Sequence, residues 1–278
     1  MKKILLAIDA THMDTEVIHF ACNIATLTHS TLTGYFISGY NEEEPVVNMA
    51  FGMPYVESMV KDLPEYAILK EKKEENIRLF EKTCSVKGVR CQVLDHNTTN
   101  PAQTIIEESR FADLVILQAT TTFETRMEEA PTGFSKEVLA AAECPVLVAP
   151  LNISDIDQII FAYDGSRSSV FAIKQFTYLF PELADKKVIV LQVNENEELP
   201  VTEKDKLGRL LRMHYSSIGF QVLQGKPVDE LFGYLLEKQN TMVVMGAYGR
   251  SWLSGLFKPA TAGLLLKTLN LPFFITHH

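Results

Sequence analysis

Two short stretches of this chain carry residue types and spacings suited to holding an anion or a polar ring. GAYGRSWLSGLFKPATAG (246–263) follows an apolar run and opens with Gly246 and Gly249. Glycines at this spacing allow a tight turn and close backbone approach, and a helix beginning near Pro259 would aim its free N–H groups and positive dipole end at an anion. YDGSRSS (163–169) places Asp164 after an apolar run, with Gly165 and Ser166 turning the chain onward. A carboxylate there can accept hydrogen bonds from a base or ribose. Each stretch also has a purely structural reading, the first as a turn that starts a helix and the second as Asp/Ser capping of a helix N-terminus.

The elements that must position these residues alternate between two periods. Short β-branched runs (ILLAID, TLTGYFI, VRCQVL, DLVILQ, PVLVA) are apolar almost throughout, as strands of a parallel sheet covered on both faces must be. Between them lie amphipathic stretches: Val17, Phe20, Ala21, Ile24 and Ala25 share one helical face, as do Leu207, Leu210, Leu211, Tyr215 and Ile218. Strand alternating with helix predicts doubly wound α/β units, whose ligands sit outside the carboxyl ends of the strands.

The chain repeats itself. KKILLAIDATH returns as DQIIFAYDGSR, pairing Asp9 with Asp164; QVLDH returns as QVLQG, ADLVILQAT as TMVVMGAYG, and CPVLVAP as LPFFITH. Four matches in one order predict two domains, 1–150 and 151–278, with the boundary near APLNISDID. The first half carries an insertion at about 38–64, rich in Met49, Phe51, Met53, Tyr55 and Met59, expected to cover one ligand edge.

Composition narrows the function classes. With 278 residues, 46% of them hydrophobic, the chain can bury a large core, and no apolar run approaches the roughly 18 residues of a membrane helix. The start, MKKILLAIDATH, lacks the apolar region and cleavage site of a signal peptide, so a cytoplasmic protein is expected. A net charge of −9 argues against general affinity for nucleic acid or anionic membrane. Cys22, Cys84, Cys91 and Cys144 stand singly in apolar segments, predicting reduced, buried thiols and no metal site. The charged run at 70–82 predicts a solvated helix face, and His277-His278 a terminal tail. No paired nucleophile and base stands on the strand edge, so a non-catalytic protein is expected.

The ordered combination of an Asp closing strand one, Gly-x-x-Gly after strand four, and a helix leading into a final apolar strand resembles the universal stress protein family, in its tandem form. The resemblance implies two tandem flavodoxin-like (Rossmann-like) domains, each a five-stranded parallel sheet with helices on both faces. One branch of that family binds ATP through Gly-x2-Gly-x9-Gly-Ser/Thr and the strand-one Asp. Transferred to the second half, the resemblance implies a site of Asp164, Gly165, Val193, Gly246, Gly249, Arg250 and Thr261 for ATP or another adenine nucleotide. The pattern departs at its end, where Pro259 and Ala260 stand for Gly and Ser/Thr. In the first half Asp9 remains, but Gln118 and Thr121 replace the glycines and Glu124, Glu128 and Glu129 oppose Arg126, predicting a degenerate site in which Thr132, Gly133 and Ser135 cap the next helix. The family also pairs the final strands of its domains, so PVLVA and PFFIT are expected to join within the chain, and a homodimer beyond that is a further expectation. A nucleotide-free interaction module and a slow ATPase are the alternatives.

Overall fold

The computed structural model describes residues 1–38, 64–123, 128, 130–151, 155–195, 200–246 and 269–276, together with two short strands at 49–50 and 53–54. The first half comprises β1 (Lys3–Asp9), α1 (Thr15–Leu27), β2 (Thr31–Ser38), the two-residue strands β3 (Met49–Ala50) and β4 (Met53–Pro54), α2 (Pro64–Val86), β5 (Cys91–Asn97), α3 (Pro101–Ser109), β6 (Leu114–Gln118), α4 (Gly133–Ala141) and β7 (Val146–Ala149). The second comprises β8 (Gln158–Ala162), α5 (Arg167–Leu179), β9 (Lys187–Asn194), α6 (Lys204–Leu211), β10 (Ser217–Gln224), α7 (Pro227–Leu236), β11 (Thr241–Gly246) and β12 (Phe273–Thr276).

Ten of these strands form one sheet in the order β10-β9-β8-β11-β12-β7-β6-β1-β2-β5. Each half is five parallel strands with its first strand in the middle, and the halves meet where β12 runs antiparallel to β7, Phe274 opposite Leu147. This is the α/β architecture expected from the sequence, with the final strands joined as expected. Registers also confirm the repeat, because Gln118 pairs with Ala149 as Gly246 pairs with Thr276.

Side chains alternate across the sheet and feed one core on each face. Ile4, Leu6, Ile8, Leu147, Phe161 and Phe274 face one cluster, whereas Leu5, Ala7, Val146, Val148, Phe273 and Ile275 face the other, so both cores run through the joint. Helix α5 is anchored on the first by Phe176, whose ring lies 5.9 Å from Phe161, 4.9 Å from Phe180 and 5.2 Å from Phe274. Burial of such a ring stabilises by about 2–3 kcal/mol.

Three expectations change in detail. Helix α6 ends at Leu211, with Tyr215 in the following turn and Ile218 already in β10, so the five-residue apolar face is a helix followed by a strand approach. The charged run is not wholly solvated: Phe80 is fully buried against Phe36, in space left by Gly34, and Lys73 is buried with its Nζ 2.6 Å from Asp95. Among the cysteines only Cys22 and Cys84 are fully buried, while Cys91 and Cys144 are half-buried. The insertion lies almost wholly outside the described residues, as do Gly249, Arg250, Pro259, Ala260, Thr261 and His277-His278. Among the described residues no helix is long and apolar enough to cross a membrane.

Candidate functional site

In the second half the carboxyl rim is built where β8 gives way to α5. The Tyr163 N–H still bonds to the Leu191 carbonyl at 2.9 Å, and Asp164 is the first residue beyond the ladder. Its Oδ1 accepts the Ser166 N–H at 2.9 Å, closing a turn in which Gly165 has φ +78°, a conformation that disfavours any side chain. Ser166 then caps α5, its Oγ accepting the Ser169 N–H at 3.1 Å. The structural reading of this stretch is therefore realised in full. Yet Asp164 Oδ2 has no hydrogen-bond partner among the described residues and remains an acceptor at the rim.

Val193 belongs to the same corner. Ala162 pairs with Leu191, so Val193 lies beside Asp164 on the neighbouring strand, and its buried side chain packs in one cluster with Leu191 and Ala162. Three residues not singled out from the sequence complete the wall. Buried Gln192 accepts the Thr202 N–H through Oε1 at 2.9 Å and donates Nε2 to Asn194 Oδ1 at 2.7 Å, and the Thr202 methyl lies 3.4 Å from where a Cβ on Gly165 would stand. Asp164, Gly165, Val193 and Thr202 thus share one corner. Burial, with the charges of Glu203 and Asp164, pushes the adjacent Tyr163 phenol above its ordinary range.

Gly246 has a packing role that the motif alone does not suggest. It does not adopt positive φ; instead α5 packs against it so closely that a Cβ would meet Ser168 Oγ at 2.3 Å and the Ser168 backbone carbonyl at 2.5 Å. Glycine is demanded here by helix-on-strand contact, which the structure shows directly.

The corresponding rim of the first half is occupied by its own side chains. Asp9 Oδ1 accepts from the Thr11 N–H and hydroxyl, both at 2.8 Å, and from the His12 N–H at 3.2 Å, while Oδ2 faces His12 Nδ1 at 3.2 Å. At the position of Gly246, Gln118 donates its amide to Asp14 at 2.7 Å, fastening the start of α1. At the head of α4, Thr132 caps by accepting the Ser135 N–H at 3.2 Å, as expected, and its hydroxyl reaches the Thr121 carbonyl. The Glu128 carboxylate accepts the Gly133 N–H at 3.0 Å and the Thr122 hydroxyl at 3.2 Å. An internal anion thus satisfies the helix terminus that an external phosphate would need. Glu124, Arg126 and Glu129 lie outside the described residues.

No family model matches the chain. It is 21% identical over 285 residues, 98% of both chains, to a universal stress protein of Synechocystis sp.. The solved universal stress protein of Archaeoglobus fulgidus is similar in fold with a TM-score of 0.70, at 15% identity, covering 99% of this chain and 98% of that one. A putative universal stress protein of Pseudomonas aeruginosa has a TM-score of 0.56, at 17% identity over 100% and 93% of the two chains. The resemblance to the tandem universal stress proteins therefore holds along the whole chain, in sequence and in fold.

Proposed function

We propose that this tandem universal-stress-type chain binds an adenine nucleotide, ATP foremost, at the carboxyl rim of its second domain (151–278) and holds it without turnover, while its first domain (1–150) has closed the equivalent site. The carrying observation is the contrast between two matched carboxylates. Both oxygens of Asp9 are engaged by Thr11 and His12, whereas Asp164 Oδ2 has no hydrogen-bond partner among the described residues. That oxygen would accept from the base or ribose, buried Val193 would pack against the ring, and Gly165 would permit close approach. Gly246 supports the site by letting α5 seat, and Gly249, Arg250 and Thr261 are assigned to the ribose and phosphates through the resemblance alone.

Thermal denaturation with and without ATP tests this reading. At a ligand concentration a hundredfold above Kd, stabilisation of about 2.7 kcal/mol corresponds to a Tm rise of roughly 5–10 °C. Asp164→Ala should abolish the rise and Asp9→Ala should preserve it; equal losses would refute the assignment. Denaturing freshly purified protein and identifying released small molecules gives a direct readout.

A second reading, a nucleotide-free interaction module, is favoured by one observation: the absence of a side chain at Gly246 is accounted for by its packing against Ser168. Absence of both released nucleotide and thermal response would select it.

A further inference from the structure

Three of the four cysteines, scattered at positions 22, 84 and 91, converge between α1, α2 and the start of β5. Cys22 and Cys84 are fully buried and their Sγ atoms lie 3.7 Å apart. Neither thiol has a part in the nucleotide site, which is in the other half. We propose that Cys22 and Cys84 form a two-thiol redox site that a small hydroperoxide converts to a disulfide, tying α1 to α2 in the first half.

The surroundings differentiate the two sulfurs. The two sulfurs share a hydrogen bond, and the Lys87 ammonium, fixed by a 2.7 Å bond to Asn23 on α1, adds positive charge; together these outweigh burial and hold the Cys22 thiol below its ordinary range. That same hydrogen bond, together with burial, pushes Cys84 up, with Cys91 contributing in the same direction. The Lys87 charge beside Cys22 favours its thiolate, the form that reacts.

In the first step the Cys22 thiolate attacks one peroxide oxygen, the O–O bond breaks, and a sulfenic acid forms as the alkoxide or hydroxide leaves and takes a proton. In the second, Cys84 sulfur attacks Cys22 sulfur, the S–O bond breaks, and the hydroxyl departs as water with the Cys84 proton. Two thiols and one hydroperoxide give one disulfide, one alcohol or water, and one water; the sulfurs lose two electrons and the peroxide gains them. The sulfurs must close from 3.7 Å to a bond of about 2.05 Å. Full burial of both sulfurs excludes a bulky peptide disulfide and limits the oxidant to a small hydroperoxide.

The test is peptide mapping of folded protein treated with hydrogen peroxide, quenched by alkylation and digested without reductant. A linked peptide pair containing Cys22 and Cys84, reversed by dithiothreitol, is expected, with Cys144 alkylated throughout. The linked form should melt at least about 3 °C above the reduced form, because a long loop has been closed. Oxidised glutathione should leave the pair reduced. Cys22→Ser should abolish linkage and Cys91→Ser should retain it; Cys22→Ala serves the same purpose should serine not be tolerated at a buried site. Recovery of Cys22 and Cys84 as free thiols after peroxide, or linkage of Cys84 to Cys91 instead, would overturn the proposal.

Discussion

Replacing Gly246 by alanine separates helix packing from ligand approach. The added methyl would stand 2.5 Å from the Ser168 backbone, about 1 Å nearer than carbon and oxygen atoms pack. Rotating the Ser168 side chain relieves its own 2.3 Å contact but leaves the backbone clash, so the first turn of α5 must move. It cannot drift freely, because Phe176 is wedged among Phe161, Phe180 and Phe274 about two helical turns away. Overpacking of this kind costs about 1–3 kcal/mol, which for a chain of this size lowers Tm by roughly 2–10 °C. Gly246→Ala should therefore melt lower than wild type with no nucleotide present, and Ser168→Gly in the same chain should recover only part of the loss. Measured by circular dichroism in nucleotide-free buffer, a variant as stable as wild type that loses only its response to ATP would refute the packing argument and return Gly246 to direct ligand contact.

Other outcomes follow from the two rims and the core. Glu128→Ala frees the Gly133 N–H at the head of α4 and should lower stability by about 0.5–1 kcal/mol, read by urea denaturation, without altering the ATP response of the second half. Tyr215 is pushed up to about 12 by burial, against 10.0 ordinarily, and its hydroxyl meets Thr177 at 3.1 Å. Below pH 10 its phenol is neutral in the folded and unfolded chains alike, so its contribution is intact; above that the unfolded chain ionises first and stability is lost until the folded phenol also titrates. Tyr215→Phe should cost about 1 kcal/mol at neutral pH and should lose about 1 kcal/mol less than wild type between roughly pH 9 and 11.

The repeat and the alternating elements were legible because they depend on local periodicity and on order along the chain, while the joining of the last strands came from the family resemblance. Matching Asp9 with Asp164 and Gln118 with Gly246 even anticipated structural registers. What the sequence could not disclose were contacts between distant residues. Lys73 reads as one more charge in KEKKEE, yet its partner Asp95 stands on another element. Cys22 and Cys84 are separated by the insertion and meet only because α1 and α2 cover the same face. For the glycine at 246 a ligand and a helix demand the same missing Cβ, and the helix contact is made by Ser168, a residue distant in sequence. The acidic segment after β6 predicts a degenerate site by its charge alone; the structure adds that Glu128 itself holds the Gly133 N–H at the head of α4.

The antiparallel seam between β7 and β12 reverses the second half relative to the first, so the two carboxyl rims lie on opposite borders of the slab. No single small molecule can bridge them, and each rim is free to drift in sequence without obstructing the other. Two separate identical chains meeting along such a seam would have to change both rims with every mutation; a fused pair need not, and it stays assembled however dilute it becomes.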